Sequence, residues 1–307
     1  MRIAVVGTGA MGSVYAGLLA DAGHEVWAID VDAGQIEAIR SGGLRVEGAS
    51  GDRVVRLSAT TDPAEAPPAE LVVIATKAMY AQDAARSALP LIGPESAVLT
   101  IQNGLGAADE VAEIVDEDRL LVGIAGGFGA ELVVPGHVHH HGMELVRIGE
   151  RHGGVTERTE RVADAWRQAG FTVETCADID RLIWEKLICN ACFAGICALL
   201  ELRIGDVLDS PHAWPVALRC AQEALDVARA SGVAVAVDDC ERYVRDYGRP
   251  ISAARPSMLI DLLAGRRCEV EWINGAVPRR GAAVGVDAPA NRLVTALVLA
   301  RQAKFLL

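Results

Sequence analysis

The chain has 307 residues, which is enough for two domains of ordinary size. Hydrophobic residues make up 51% and charged residues 23%, as in an ordinary soluble globular protein. The net charge of −12 repels phosphate backbones and aromatic residues are only 4%, so nucleic acid is excluded as an expected partner.

Arg2 to Val6 is a short, β-branched apolar run, the pattern of a strand buried on both faces. It runs into Gly7-Thr8-Gly9-Ala10-Met11-Gly12. Gly7 and Gly9 also interrupt what could otherwise pass for a secretory signal, and no cleavage site follows. Ser13 to Ala22 reads as a helix closed by Gly23, and Glu25 to Asp30 as a second strand ending in an acid. G-x-G-x-x-G alone is a weak signal, but strand, glycine loop, helix, strand and acid within thirty residues form a dinucleotide-binding context. Gly7 permits the tight turn, Gly9 lets backbone approach a pyrophosphate, and Gly12 lets helix pack on strand. The helix N-terminus offers N–H groups to the phosphates, and Ala10 and Met11 in the loop before it join the glycines as candidate cofactor-binding residues. Asp30 lies 18 residues after Gly12, where a carboxylate can hold the ribose hydroxyls and repel a 2′-phosphate. No basic residue follows until Arg40, so NAD(H) is favoured over NADP(H).

Further buried-type strands are expected at Leu71–Ala75, Ala97–Ile101 and Leu120–Ile124, with helical patterns at Met79–Leu89 and Ala107–Val115 between them. Alternating strands and helices imply a parallel sheet covered on both faces, with ligands outside the carboxyl ends of its strands. Lys77 and Asn103 fall at two such ends and become candidates for cofactor or substrate contact; taken singly, each could be a solvated charge or a turn residue. His137, His139 and His141 would share one face of a strand, but no ligand spacing accompanies them, and solvated histidines on a sheet edge are expected rather than a metal site. Thr156–Glu174 reads as a last helix and strand.

Beyond about residue 178 helical patterns take over, at Leu182–Leu200, Pro215–Ala230, Asp238–Tyr247, Arg255–Ala264, Glu269–Arg280 and Asn291–Phe305. The expected organisation is a dinucleotide-binding domain over residues 1–177 and a helical substrate and catalytic domain over 178–307. Lys186 and Asn190 share a helix face among apolar neighbours, and a desolvated lysine suits proton transfer. Ser257 and Asp261 are again one turn apart, and Glu269 is expected to open the next helix. Cys189 and Cys192 form a C-x-x-C inside a helix, which reads as core thiols. The seven cysteines are expected to be reduced in a cytoplasmic protein, and no unbroken apolar run approaches the ~18 residues of a membrane helix.

Taken in order, the glycine loop, Thr76-Lys77, Gln102-Asn103-Gly104, Trp184-Glu185-Lys186-Leu187 with Asn190, Ser257-Met258 through Asp261 to Glu269, and Ile273-Asn274-Gly275 resemble the ketopantoate reductase (2-dehydropantoate 2-reductase) family over nearly the whole chain. The resemblance implies a Rossmann-type doubly wound sheet, then a helical domain. It implies hydride transfer from a nicotinamide to the C2 carbonyl of a 2-oxo acid. By the same resemblance Lys186 is the general acid, Glu269 orients the site and helps bind substrate, Ser257 and Asn190 bind substrate, and Asn103 and Lys77 line the nicotinamide and substrate cleft. A homodimer is the assembly that analogy suggests.

Two positions depart from the family pattern: Ala194 and Ala254 stand where polar residues are common. Their loss favours a more apolar substrate, because an unpaired buried polar group costs about 1–3 kcal/mol. The family also usually uses NADPH, where this chain has Asp30. The default substrate is 2-dehydropantoate. The alternatives are an NAD-dependent D-2-hydroxyacid dehydrogenase for branched or aromatic 2-oxo acids, and a non-catalytic NAD(P)-sensing protein, which would need neither Lys186 nor Glu269.

Overall fold

A computed structural model of the chain describes residues 1–127, 129–142 and 145–305. Its contacts divide the chain into two units, Met1–Gln102 with Ala107–Ile179, and Asn103–Gly106 with the chain from Asp180 onward.

The first unit is built on β1 (Arg2–Val6), α1 (Ala10–Asp21), β2 (Glu25–Ile29), α2 (Ala33–Gly42), β3 (Leu44–Gly48), β4 (Arg53–Val55), β5 (Ser58–Thr60), β6 (Ala69–Ile74), α3 (Ala81–Ser87), β7 (Ile92–Thr100), α4 (Ala107–Ala112), β8 (Leu120–Gly126), β9 (Gly129–Val134), β10 (His137–Gly142), β11 (Leu145–Glu150), α5 (Glu157–Gln168) and β12 (Val173–Thr175). Eight strands form one sheet in the order β12-β11-β8-β7-β6-β1-β2-β5. It is parallel except that β11 runs antiparallel to β8, with β12 parallel to β11. Its central strands are apolar on both faces: Ile3, Val5, Leu71, Val72, Val73, Ile74, Val98 and Leu99 are completely buried. Register places Val6 opposite both Ile29 and Ile74, and Ile74 opposite Thr100. The four chain ends that follow, at Gly7, Asp30, Ala75 and Ile101, therefore emerge along one edge.

Four strands form a second sheet, β4-β3-β10-β9, which the sequence patterns did not announce. The histidine run corrects the expectation of a sheet edge: β10 lies inside this sheet, between β3 and β9. His137 and His139 face Glu47 at 3.2 and 3.4 Å, and His141 faces Glu131 at 3.6 Å. His140 points the other way, is buried, and hydrogen-bonds Ser50 at 3.1 Å. Among the described residues no group of three His, Cys, Asp or Glu side chains is arranged to hold a metal.

The second unit is helical: α6 (Ile179–Leu200), α7 (Ile204–Asp209), α8 (Ala213–Ala230), α9 (Cys240–Gly248), α10 (Ser257–Leu263), α11 (Ala276–Val284) and α12 (Pro289–Gln302). By length and composition α6 could cross a membrane, although Arg181, Glu185 and Lys186 interrupt its apolar run; 67% of its most apolar stretch is buried in this protein's own core. A helix apolar on all sides is a core helix, and Leu187, Ile188, Cys189, Cys192, Phe193 and Cys197 are buried against α7, α8, α9 and α10. Burial pushes the Cys189 and Cys192 thiols well above their ordinary range, which suppresses thiolate chemistry. The helix expected to open at Glu269 starts later. Glu269 lies in a bend, residues 270–275 are consecutive turns, and α11 begins at Ala276. Trp272 and Ile273 donate to the Glu269 carbonyl at 3.1 Å, and Gly275 donates to Val270 at 2.8 Å.

Candidate active site

The glycine loop is set by contacts that admit no side chain. The Gly7 amide donates to the Ile29 carbonyl at 2.8 Å, and Gly7 has φ of +92° with Thr76 packed against its Cα. A Cβ on Gly12 would lie 1.8 Å from the Gly7 carbonyl oxygen. Gly9, by contrast, is exposed, and a Cβ there would meet nothing within 4 Å. It caps α1 with no side-chain hydrogen bond, so open space faces a helix N-terminus whose first amides, at Ala10 and Met11, have no side-chain acceptor among the described residues. That cradle fits a pyrophosphate. Ser13 donates to the Thr8 carbonyl at 2.8 Å, and the buried Gln35 amide braces Thr8 and Ser13 at 2.9 and 3.1 Å. Gln35 carries no motif; its burial within α2 is the feature that identifies it.

Asp30 is half-buried. One carboxylate oxygen accepts the Thr8 amide at 2.6 Å, and the other accepts the Asp32 amide at 3.0 Å. The carboxylate is thus fixed beside the loop with lone pairs remaining for further donors. The nearest following cation, Arg40, is engaged elsewhere: it donates to the Ala59 carbonyl at 2.6 Å and to Glu65 at 3.3 Å. Lys77 is half-buried at the end of β6, where it precedes a 3-10 turn over Ala78–Tyr80. Gln102 joins the ends of β6 and β7, donating to the Ile74 and Thr76 carbonyls at 2.6 and 3.2 Å and accepting from Thr100.

In the second unit Lys186 donates to Asn103 Oδ1 at 2.7 Å. Lys186 keeps some exposed surface, yet its amine sits deep among packed atoms. Burial pushes its pKa down to about 8, and the neighbouring Glu269 carboxylate, itself buried, partly opposes that shift. Lys186, Asn103 and Glu269 are therefore one electrostatic group. Asn190 lies half-buried one turn further along α6, and Ala194 one turn beyond that is 5% exposed. Ser257 is exposed on the first turn of α10. Asp261 is buried on the same helix and pairs with Arg266 at 3.2 Å.

Composition carries a signal here that motif reading passes over. The chain has twenty-six arginines and three lysines, Lys77, Lys186 and Lys304. Arginine cannot shed a proton near neutrality, whereas a buried lysine can. Two of the three, Lys77 and Lys186, are among the candidate site residues.

A glycine loop at a helix N-terminus beside a fixed carboxylate, and a buried lysine in a helical unit, accord with an NAD(P)-dependent oxidoreductase acting on a CH–OH group, the class to which the relatives below belong. The chain belongs to the ketopantoate reductase family: the family model "Ketopantoate reductase PanE/ApbA" matches residues 3–153, and its C-terminal counterpart matches residues 178–302. It is 35% identical to a 2-dehydropantoate 2-reductase of Halobacterium salinarum over 97% of this chain and 98% of the other. It is 33% identical to the Archaeoglobus fulgidus enzyme of that name over 97% and 96%. Among solved structures, a PanE/ApbA family ketopantoate reductase from Ralstonia eutropha superimposes with a TM-score of 0.92 at 32% identity, covering 100% of both chains. A D-mandelate dehydrogenase, solved with NADH and anilino(oxo)acetate, gives the same TM-score of 0.92 at 26% identity, again over 100% of both.

Proposed function

We propose that the enzyme reduces the C2 carbonyl of a 2-oxo acid with NADH, residues 1–177 serving the dinucleotide and 178–307 the substrate and the proton. The contact that carries this reading is Lys186 to Asn103 at 2.7 Å, beside the buried Glu269. A bound nicotinamide supplies the hydride. Gly7, Gly9, Ala10, Met11 and Gly12 hold the pyrophosphate, Asp30 the ribose, and Lys77 and Asn103 line the nicotinamide end. Lys186 Nζ gives its proton to the forming alkoxide and its positive charge stabilises that oxygen beforehand. Asn103 orients the ammonium. Glu269 keeps it protonated to a higher pH and helps bind substrate, with Asn190 and Ser257 as further polar contacts. The acidic shell does not forbid an anionic substrate, since local cations and a helix N-terminus set the potential inside the site.

Asp30 supports NADH over NADPH: its carboxylate is anchored where a 2′-phosphate would repel it, and Arg40 is committed to Ala59 and Glu65. The default substrate is 2-dehydropantoate. A second reading, an NADH-linked D-2-hydroxyacid dehydrogenase for branched or aromatic 2-oxo acids, is favoured by Ala194, which offers no donor from the face of Lys186 and Asn190. Steady-state kinetics on 2-dehydropantoate, 2-oxoisovalerate and phenylglyoxylate decide between the two. With either cofactor-substrate pairing, NADH should exceed NADPH by about tenfold or more in kcat/KM, a difference of roughly 1.4 kcal/mol. A preference for NADPH would remove the role given to Asp30. A preference for 2-dehydropantoate over both apolar acids would remove the second reading.

A further inference from the structure

The loop that carries Asn103 is also held by the turn that carries Trp272. Gly104 has φ of +86°, and a Cβ there would lie 2.2 Å from the Trp272 carbonyl oxygen. The next residue, Leu105, donates its amide to that same oxygen at 2.8 Å. Arg279 spans the joint, donating to the Glu271 carbonyl at 3.3 Å and to the Leu105 carbonyl at 3.4 Å. The Trp272 amide in turn donates to the Glu269 carbonyl at 3.1 Å. One irregular turn therefore supports two polar neighbours of Lys186, Asn103 and Glu269. An asparagine has only two side-chain torsions, so the path of its backbone largely fixes where Oδ1 stands.

We propose that the Trp272 carbonyl is a backbone clamp that sets Asn103 against Lys186, with Gly104 and Arg279 as its positioning residues. The proposal rests on the catalytic reading of Lys186 above. Residue 104 must be glycine because any Cβ would push the loop off the Trp272 carbonyl by about 1 Å before normal contact is restored, and a displacement of that size can cost on the order of 100-fold in rate. Arg279 is exposed, so its removal leaves the core intact and only loosens the joint.

The test uses the whole chain with 13C-labelled lysine. Only three lysines exist, so the Lys186 signal is separable and can be assigned by its loss in Lys186→Met. In Asn103→Ala the Lys186 midpoint should fall, because the ammonium loses an acceptor. Gly104→Ala should move it in the same direction and lower kcat about 10–100-fold, with the KM for NADH changed less than about threefold. Gly104→Ala added to Asn103→Ala should cost nothing more, since it acts through Asn103. Arg279→Ala should give the same shift in smaller measure, with kcat down about threefold. If Gly104→Ala does not fold, Arg279→Ala decides. The clamp is overturned if the variant that folds leaves the Lys186 midpoint at its wild-type value, or if the two losses multiply in the double variant. Absence of 2-oxo acid turnover in the wild type would remove the catalytic reading alone, because the titration reads the clamp without activity.

Discussion

Lys186→Met is expected to lower kcat for 2-oxo acid reduction by about 10³-fold or more while making the protein more stable at neutral pH. The first effect removes both the proton donor and the charge facing the alkoxide. The second follows from linkage. The folded protein holds the Lys186 pKa down at about 8, below the ordinary lysine value of 10.5. The unfolded chain therefore binds more protons between about pH 8 and 10.5, and stability rises with pH across that window. Below about pH 8 the burial cost is present in full. Methionine has a similar length and no charge, so the variant escapes that cost and should gain on the order of 1–3 kcal/mol at pH 7, less what the Asn103 contact contributed. Urea denaturation at pH 7 measures the gain. A purely structural lysine would behave in the opposite way, leaving turnover intact and costing stability when removed, and a non-catalytic nucleotide sensor would also leave turnover unmoved.

The same shift fixes the pH profile. Reduction needs the ammonium, so its kcat should fall as pH rises through about 8, with that limb absent in whatever activity Lys186→Met retains. Oxidation of the 2-hydroxy acid needs the neutral amine and should rise through the same value. A reduction rate flat from pH 7 to 9.5 at saturating substrate would remove Lys186 as the proton donor.

Much of the first unit is legible in the sequence because its central strands are buried on both faces and so read as unbroken apolar runs. The glycine loop is legible for a related reason: Gly12 meets the Gly7 carbonyl so closely that no other residue fits, and a requirement that strict leaves a mark. The second sheet leaves none. β3, β4, β9 and β10 are short and half exposed, and one of them holds four histidines whose placement depends on Glu47, Glu131 and Ser50 from other strands or loops. Glu269 was legible as a candidate but not in its setting. Its apolar neighbours Val270 and Ile273 suit a helix, whereas the chain needs irregular turns there so that the Trp272 carbonyl can receive Gly104 and Leu105. Contacts between residues about 170 positions apart have no local signature. Family resemblance located Asn103 and Lys186 separately; only the folded chain shows them bonded to each other.

Glu223→Ala should destabilise the protein by about 3–5 kcal/mol, because several buried donors lose their acceptor at once, each at a cost of about 1–3 kcal/mol. Glu223 is 1% exposed on α8 and serves as the cap of a different helix. α12 starts at Pro289 with no side-chain cap of its own. Glu223 accepts the Ala290 and Asn291 amides, each at 3.0 Å, and places its negative charge at the positive end of α12. It also accepts the Asn291 side-chain amide at 3.0 Å and Arg219 at 3.1 Å. Asn291 passes the restraint on, accepting from Asn274 at 2.9 Å, and Asn274 donates to the Ala191 carbonyl on α6 at 2.9 Å. Alanine would strand two main-chain amides and one N–H of the Asn291 side chain, whose other N–H still donates to the Cys220 carbonyl at 2.9 Å. Glutamine keeps the shape and one acceptor but turns an NH₂ group toward those donors, so it should cost about 1–3 kcal/mol. Asn274 closes the turn that carries Glu269 and Trp272, and its Oδ1 is already buried without a hydrogen-bond partner among the described residues, so the network has little slack. Loss of the cap should therefore reach the site, lowering kcat in the folded protein by a smaller factor than Gly104→Ala does. A stability loss under about 1 kcal/mol by urea denaturation would mean that water replaces the carboxylate, and that α12 does not depend on a cap lent by α8.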